Sequence, residues 1–163
     1  MKRYLSRALP IAAMLVLLAG SEAIRAQTPQ PLSCTRPGAP CVNPIKVDPD
    51  DCNKSTPTYD PIHFPRTVGG NPNRDIPVKW TLPTGYGFCP TAGDGVFLKK
   101  PDPYSQFNQQ PFPPPSGSGP CNRRSLTLVA KNTRQNQTYE YRIQFHSEDG
   151  AKICTIDPAM IND

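Results

Sequence analysis

Hydrophobic and polar residues alternate most strictly near the C-terminus of the 163-residue chain, over residues 138–146. The apolar positions of this stretch are Tyr139, Tyr141, Ile143 and Phe145. A period of two with aromatic and branched side chains predicts a half-buried β-strand. Residues 147–150 then predict a turn, and residues 151–157 a return strand, so the two strands should form a hairpin.

Weaker alternation predicts further strands upstream. Residues 76–82 alternate in the same way, and Pro77 places the start of that strand at a sheet edge. Residues 96–98 and 126–130 complete a set of about five strands, and no segment has a helical period. We therefore expect an all-β fold, namely a small antiparallel β-sandwich, with a partly open barrel as the alternative.

Prolines are concentrated in two stretches. The chain has 22 prolines, which recur every few residues over 28–65 and again over 101–120. Because proline lacks a backbone N–H and biases the preceding residue, the first stretch predicts neither helix nor central strand. The second stretch predicts a long proline-rich surface loop. These patterns divide the chain into a Pro/Cys-rich extension over residues 27–70 and a sandwich domain over residues 71–163.

Residues 1–26 have the layout of a Sec-type signal peptide. Basic residues precede an apolar run over residues 9–19, and small residues follow, so we expect cleavage after Ala26 or, as second choice, after Ala23. The run is shorter than the ~20 residues that a membrane-spanning helix needs. No cysteine follows Gly20, so a lipoprotein anchor is not expected. The mature chain should be periplasmic or secreted, in a Gram-negative-type bacterium.

Net charge predicts no nucleic-acid partner. The formal charge is +5, but residues 1–26 hold four of the 18 Lys and Arg and one of the 13 Asp and Glu. They therefore carry +3 of the total, and about +2 remains on the mature chain. A nucleic-acid interface needs a clustered basic face, which two short basic pairs at 99–100 and 123–124 do not provide.

The six cysteines predict disulfide bonds, because an even number in an exported chain usually pairs. They are Cys34, Cys41, Cys52, Cys89, Cys121 and Cys154. Cys34 and Cys41 are placed to close a small local loop, whereas the partners of the other four stay open among the fifteen possible pairings. A zinc site or a redox motif would favour a Cys-x-x-Cys pair, and the chain has none.

The last quarter of the chain carries a loose motif. It consists of Tyr139-x-Tyr141-x-Ile143, then Gly150, then Ile156-Asp157-Pro158-x-x-Ile161-Asn162. This pattern resembles the C-terminal part of small uncharacterised exported bacterial proteins with an immunoglobulin-like β-sandwich. The resemblance implies that fold and a location in the cell envelope, and it implies no activity.

Few residues suit metal binding or catalysis. A copper site would draw on His146, Cys154 and Met160, but no histidine follows Cys154, and parity places His146 on the solvent face of its strand. The acidic cluster at 48–53 matches a calcium loop poorly and favours a solvated turn. The chain has no nucleophile motif. We therefore expect no metal, no cofactor and no enzymatic activity.

The loop over residues 101–120 is the candidate interaction site, through its aromatic residues Tyr104, Phe107 and Phe112. The alternative is an inert connector. The sequence thus favours a non-catalytic binding module of the cell envelope, with an envelope or extracellular protein or a glycan as partner. The alternative function is a periplasmic carrier of a small ligand or metal, with a pocket between the sheets.

Overall fold

The computed structural model describes residues 29–35, 39–89, 94–107 and 121–162. Within these ranges the chain forms thirteen short β-strands, one 3-10 turn at Cys52–Lys54 and no α-helix, which confirms the all-β prediction. The predicted signal peptide lies outside the described residues. No helix in the described ranges has the length and apolar character needed to cross a bilayer.

The strands are distributed between two mixed sheets and a small hairpin. In chain order they are β1 (Gln30–Ser33), β2 (Cys41–Lys46), β3 (Thr56–Pro57), β4 (Tyr59–Phe64), β5 (Thr67–Val68), β6 (Asn71–Pro72), β7 (Ile76–Thr81), β8 (Tyr86–Gly87), β9 (Gly95–Leu98), β10 (Ser125–Ala130), β11 (Gln137–Ser147), β12 (Ile153–Ile156) and β13 (Ala159–Asn162). The first sheet has the order β1-β4-β13-β11-β12, with β8 and β9 also paired to β11. The second has the order β10-β7-β2-β3, and β5 pairs with β6.

The 11-residue strand β11 organises the first sheet. Ile143 pairs with Ile156 of β12 and also with Val96 of β9, so these two strands lie on opposite sides of β11. β13 continues the line of β12 in the same register, with Glu140 opposite Ala159. The predicted hairpin of residues 138–157 is confirmed by the β11–β12 pairing.

Three strand pairs are parallel, which corrects the prediction of a purely antiparallel fold. These pairs are β1–β4, β13–β4 and β2–β7. The consecutive strands β1 and β2 lie in different sheets, so the neighbours within a sheet are often distant in sequence. Such pairs are not joined by hairpins, which would force them to be antiparallel.

The proline-rich N-terminal stretch supplies central strands, and the prediction that it forms none is wrong. β4 lies between β1 and β13 although it contains Pro61, and β2 lies between β7 and β3 although it contains Pro44. The β1–β4 register shifts between Gln30 and Leu32, so Pro61 lies at an irregularity where no ladder donor is required. The hairpin β5–β6 spans residue 70.

Pro77 has the position that the sequence predicts. It pairs with Val129 of β10, whereas β2 begins opposite the next residue, Val78. The proline therefore lies where β7 has a strand on one side only, and its missing N–H removes no bond of the β2 ladder.

The two sheets share one hydrophobic core, in which Trp80 of β7 contacts Tyr141 of β11. Both side chains are fully buried, and their ring centroids are 5.5 Å apart. The indole Nε1 donates a hydrogen bond of 3.2 Å to the Tyr141 hydroxyl, which satisfies a polar group that burial would otherwise penalise. Burial also raises the pKa of Tyr141 well above its usual range.

All six cysteines are paired, which confirms the predicted disulfide framework and its local member. The Cys34–Cys41 bond joins the residue after β1 to the first residue of β2, and so links the two sheets. The Cys52–Cys154 bond ties the 3-10 turn to β12 across 102 residues. The Cys89–Cys121 bond closes a loop of 32 residues.

The disulfides that close the longest and the shortest loop, Cys52–Cys154 and Cys34–Cys41, should contribute differently to the free energy of unfolding. Closing a loop of about 100 residues removes roughly 4–5 kcal/mol of unfolded-state entropy, against roughly 2–3 kcal/mol for a short loop. C52A/C154A should therefore lower the free energy of unfolding more than C34A/C41A. Urea unfolding followed by fluorescence of Trp80, the only tryptophan, measures both. An equal or larger loss in C34A/C41A would contradict this account.

Tyr141 and Tyr139 form a matched pair for testing the indole hydrogen bond. Y141F leaves the buried Trp80 N–H without an acceptor, so it should cost about 1–3 kcal/mol of unfolding free energy. The buried Tyr139 hydroxyl has no hydrogen-bond partner among the described residues, so Y139F should be neutral or stabilising. Chemical unfolding measures the free energy of unfolding of both variants. The same loss of free energy in both would show that the indole hydrogen bond contributes nothing to stability.

Candidate functional site

Residues 102–107, here called the anchored segment, begin the predicted interaction loop. Gln106 is fully buried, and its carbonyl Oε1 accepts from the backbone N–H groups of Thr133 (2.8 Å) and Arg134 (3.0 Å). Its Nε2 donates to the Thr133 hydroxyl at 2.8 Å and to the Tyr104 carbonyl at 3.1 Å. A fully satisfied amide in a dry environment holds the segment firmly against residues 131–134.

Phe107 completes the anchor from the apolar side. Its ring is 4% exposed and packs edge-to-face against Tyr139, with ring centroids 5.0 Å apart. Its N–H donates to Asp102 at 3.0 Å, and its backbone forms a bridge with Ala130, the last residue of β10. The ring therefore belongs to the core.

Tyr104 is the exposed aromatic residue of the anchored segment. Its side chain is 47% exposed, and the guanidinium carbon of Arg134 lies 5.0 Å from the centroid of its ring. A cation over an aromatic face orients both groups, at a contribution of about 0.5–1 kcal/mol for an exposed pair. The result is an oriented aromatic and cationic patch on the surface.

A groove of about 240 Å³ lies beside this patch. It is formed by residues 100–103 and the first residues of β11, with Lys100, Pro101, Pro103 and Tyr139 in its lining. Burial raises the pKa of Tyr139 to about 12, and the charge of Asp102 adds to the shift. Tyr104, Arg134 and this groove together are called the contact surface below.

The other end of the loop is held by a disulfide. Cys121 is bonded to Cys89, and the neighbouring residues Phe88 and Arg123 form a backbone bridge. Gly87 lies directly against the carbonyl of Cys121, and a Cβ at Gly87 would overlap that carbonyl. The two anchors lie at opposite ends of β10, roughly 17 Å apart at the usual rise of a strand.

The structure separates the three aromatic residues of the candidate interaction loop. Tyr104 lies at the surface, Phe107 lies in the core, and Phe112 lies outside the described residues. The sequence of the loop does not distinguish Tyr104 from Phe107. Their difference arises from Tyr139 and Ala130, which are distant in sequence.

A second polar cluster surrounds the Cys89–Cys121 bond. Asp94 is fully buried just before β9, and one carboxylate oxygen lies 2.8 Å from His146 Nδ1. The carboxylate also accepts from the N–H of Cys89 at 2.6 Å and from Gln144 Nε2 at 3.4 Å. These donors offset the cost of burying the carboxylate. The Cys89 sulfur, an Asp94 oxygen and a His146 nitrogen all lie within 4.8 Å of one another.

His146 is not the solvent-facing residue that parity predicts. Its side chain is only 13% exposed, because Asp94, which directly precedes β9, lies against it on the outer face of β11. Strand parity correctly separates His146 from the inner aromatic row, but it does not show that another segment covers this part of the outer face. Sequence analysis therefore misses Asp94 and Gln106.

The residues considered for copper have other roles. Cys154 is bonded to Cys52, and Met160 is a buried core residue. The other histidine, His63, lies on β4 opposite Ile161, where its carbonyl accepts from the N–H of Cys34 at 2.9 Å.

The acidic cluster near residue 50 builds a turn. Asp48 Oδ1 accepts from the N–H groups of Asp51 (3.0 Å) and Asp50 (2.9 Å), and these bonds lower the pKa of Asp48. Asp51 caps the 3-10 turn by accepting from the N–H of Asn53. Asn53 in turn accepts from the N–H of Thr155 at 3.0 Å, so its side chain links the turn to β12. This is the solvated turn that the sequence favours.

A second cavity, of about 300 Å³, lies where β1, β2 and β7 meet. Its lining includes Leu32, Val42, Ile76 and the Cys34–Cys41 bond, so residues of both sheets contribute. Its volume is at the lower end of the range for small-molecule sites, which is about 300–1,000 Å³.

Comparison of the chain with protein-family models, curated proteins and solved structures gives no match. The resemblance of the last quarter to exported bacterial proteins therefore stays a prediction. Function has to be inferred from the geometry of the sites described above.

Removal of the Gln106 side chain should both lower the stability of the protein and loosen the anchored segment. Q106A leaves the buried N–H groups of Thr133 and Arg134 without their acceptor, so it should cost about 2–4 kcal/mol of unfolding free energy. Q30A, at an exposed position of β1, is the control and should change it by less than about 0.5 kcal/mol. Urea unfolding gives both values, and limited proteolysis reports whether cleavage near residue 104 accelerates. A Q106A protein as stable as Q30A would show that the segment is not anchored through this amide.

Proposed function

We propose that the chain is an exported, non-catalytic interaction module of the cell envelope that binds a partner through its contact surface and the loop that follows. The observation that carries this proposal is the double anchoring of the loop. A buried glutamine and phenylalanine hold one end, and a disulfide holds the other. A connector with no role beyond linking strands needs no such anchors.

The anchoring has a physical consequence for binding. Ordering a free loop costs conformational entropy each time a partner binds, and a loop with fixed ends has already lost part of that entropy. Tyr104 is presented beside a cation, and tyrosine supplies a large contact area at a low entropy cost. Lys100 and Arg134 give the surface positive charge and Glu140 gives it negative charge, which favours a partner with charges of complementary arrangement.

The surrounding framework fits a protein that works outside the cytoplasm. Three disulfides stabilise the described residues, and such bonds persist in oxidising compartments. This supports a periplasmic or secreted location with a cleaved signal peptide. Two facing mixed sheets with a shared aromatic core support a sandwich, for which we propose the immunoglobulin-like type.

The proposal is tested by separating the loop from the fold. In one variant, residues 108–119 are replaced by a Gly/Ser sequence of the same length, and in the other Tyr104 is replaced by alanine. Both should keep the Trp80 fluorescence and unfolding midpoint of the parent protein. Both should lose at least tenfold in affinity for periplasmic or outer-membrane protein fractions in quantitative cross-linking.

The matched control is Y59A, which removes a half-buried tyrosine from β4, outside the contact surface. It should bind with unchanged affinity when compared at a temperature where it is folded. If the loop variant and Y104A bind like the parent, the contact surface is not the binding site. Binding to purified glycan in place of protein would identify the other partner class.

The cavity of about 300 Å³ supports a second candidate, a carrier of a small ligand. Its lining is partly apolar and spans both sheets, as expected for a pocket between them. A carrier should show a bound mass in native mass spectrometry that disappears on denaturation. I76W, which fills the cavity, should abolish the adduct, whereas the loop variant should retain it. A protein that purifies without any adduct would argue against this candidate.

A further inference from the structure

We propose that opening the Cys89–Cys121 disulfide creates a zinc site from Cys89, Asp94 and His146. This inference does not depend on the proposed interaction function. Within the described residues this is the one group of three His, Cys, Asp or Glu side chains whose ligand atoms converge, all within 4.8 Å of one another. It supplies one sulfur, one nitrogen and one oxygen donor, which is a combination that suits Zn²⁺ better than Ca²⁺ or Mg²⁺.

The ligands are held on rigid elements. His146 and Gln144 project from the same face of β11, and Asp94 immediately precedes Gly95, which pairs with Gln144. The Cys89 N–H and the Gln144 amide donate to the Asp94 carboxylate at 2.6 and 3.4 Å. These bonds orient the carboxylate, as hydrogen bonds to the ligands do in known metal sites.

The geometry requires only small movements. In a tetrahedral zinc site with bonds of about 2.0–2.3 Å, ligand atoms lie about 3.3–3.7 Å apart. His146 Nδ1 and the nearest Asp94 oxygen, now 2.8 Å apart, would separate by about half an ångström. The sulfur would approach both by a rotation of its side chain.

The disulfide controls the site, because a sulfur in a disulfide is not a thiolate ligand. Two thiol reductant molecules supply two electrons and two protons, the Cys89–Cys121 bond breaks, and the reductants leave as one disulfide. Zn²⁺ then binds the Cys89 thiolate, whose proton is released, together with the Asp94 carboxylate and His146 Nδ1. The proton that Nδ1 shares with Asp94 moves to Nε2, and metal bonds replace that hydrogen bond. One thiolate and one carboxylate balance the charge of the ion, which permits binding at a buried position.

The other two disulfides have no such surroundings. Cys34 and Cys41 lie against the partly apolar cavity described above, and the sulfur of Cys52 lies 3.7 Å from the carbonyl of Ile153. Neither belongs to a converging group of ligands among the described residues. Among the three disulfides, Cys89–Cys121 is thus the one with a described group of side chains that would bind a metal after reduction. The same disulfide anchors the candidate interaction loop.

The first test uses C121S, which frees Cys89 without a reductant. C121S should bind one equivalent of zinc, at least 100-fold more tightly than the oxidised parent, in competition with a chromophoric chelator. Substitution of cobalt should give a thiolate charge-transfer band and the intense visible bands of a tetrahedral site. The control C41S frees Cys34 in the same way and should show neither.

Removal of a ligand should abolish tight binding. H146A and D94N, each made in the C121S background, should weaken zinc binding at least tenfold, and C89S/C121S should bind no better than the oxidised parent. Trp80 fluorescence checks that each variant is folded. If C121S binds zinc no better than C41S, or if H146A has no effect, the proposal is overturned.

The second test needs no variant and remains informative if C121S does not fold. The full chain is equilibrated in glutathione redox buffers with and without zinc, and free thiols are mapped by alkylation and mass spectrometry. Zinc should increase the reduced fraction of the Cys89–Cys121 pair at least tenfold and leave the other two pairs unchanged. An equal reduced fraction with and without zinc would overturn the proposal.

Discussion

Trp80 and Tyr141 meet at the centre of the core, one from each sheet, and the rest of the architecture depends on this contact. The two rings are the largest fully buried side chains of the described residues, and the indole hydrogen bond fixes their relative position. β11, which carries Tyr141, has the most partners in its sheet, and β7, which carries Trp80, lies between β10 and β2. The disulfide between Cys34 and Cys41 adds a covalent link between the sheets at one end.

β11 connects this core to the chemistry on its outer face. Its inner row of aromatic and aliphatic residues packs towards Trp80, and the same alternation places Gln144 and His146 on the opposite face. There they contact Asp94, which directly precedes β9. A buried carboxylate is tolerated because three donors surround it. The alternation of β11 therefore places apolar residues in the core of the sandwich and polar residues beside the Cys89–Cys121 bond.

The Cys89–Cys121 bond is shared by the proposed interaction loop and the proposed zinc site. It holds one end of the candidate interaction loop, and Gln106 with Phe107 holds the other. A metal site that competes with the disulfide would make the presentation of the loop depend on thiol conditions. The contact surface around Tyr104 does not touch the disulfide, so it remains in place in either state. Metal binding would therefore change the loop part of the proposed binding site and leave Tyr104 and its groove in place.

The sequence by itself determined the strands with strong alternation, the hairpin of residues 138–157, the paired cysteines and the local bond between Cys34 and Cys41. These are set by side-chain period and by short loop closure, both of which act over a few residues. The tertiary structure places β2 and β4 in central positions despite their prolines. A proline fits a central strand only where the adjacent strand does not need its missing N–H, and this depends on which strands become neighbours. Only the tertiary structure decided that Phe107 is buried and Tyr104 exposed, and that Asp94 covers His146. The Phe107–Tyr139 and Asp94–His146 contacts join residues more than 30 positions apart, which no local pattern encodes.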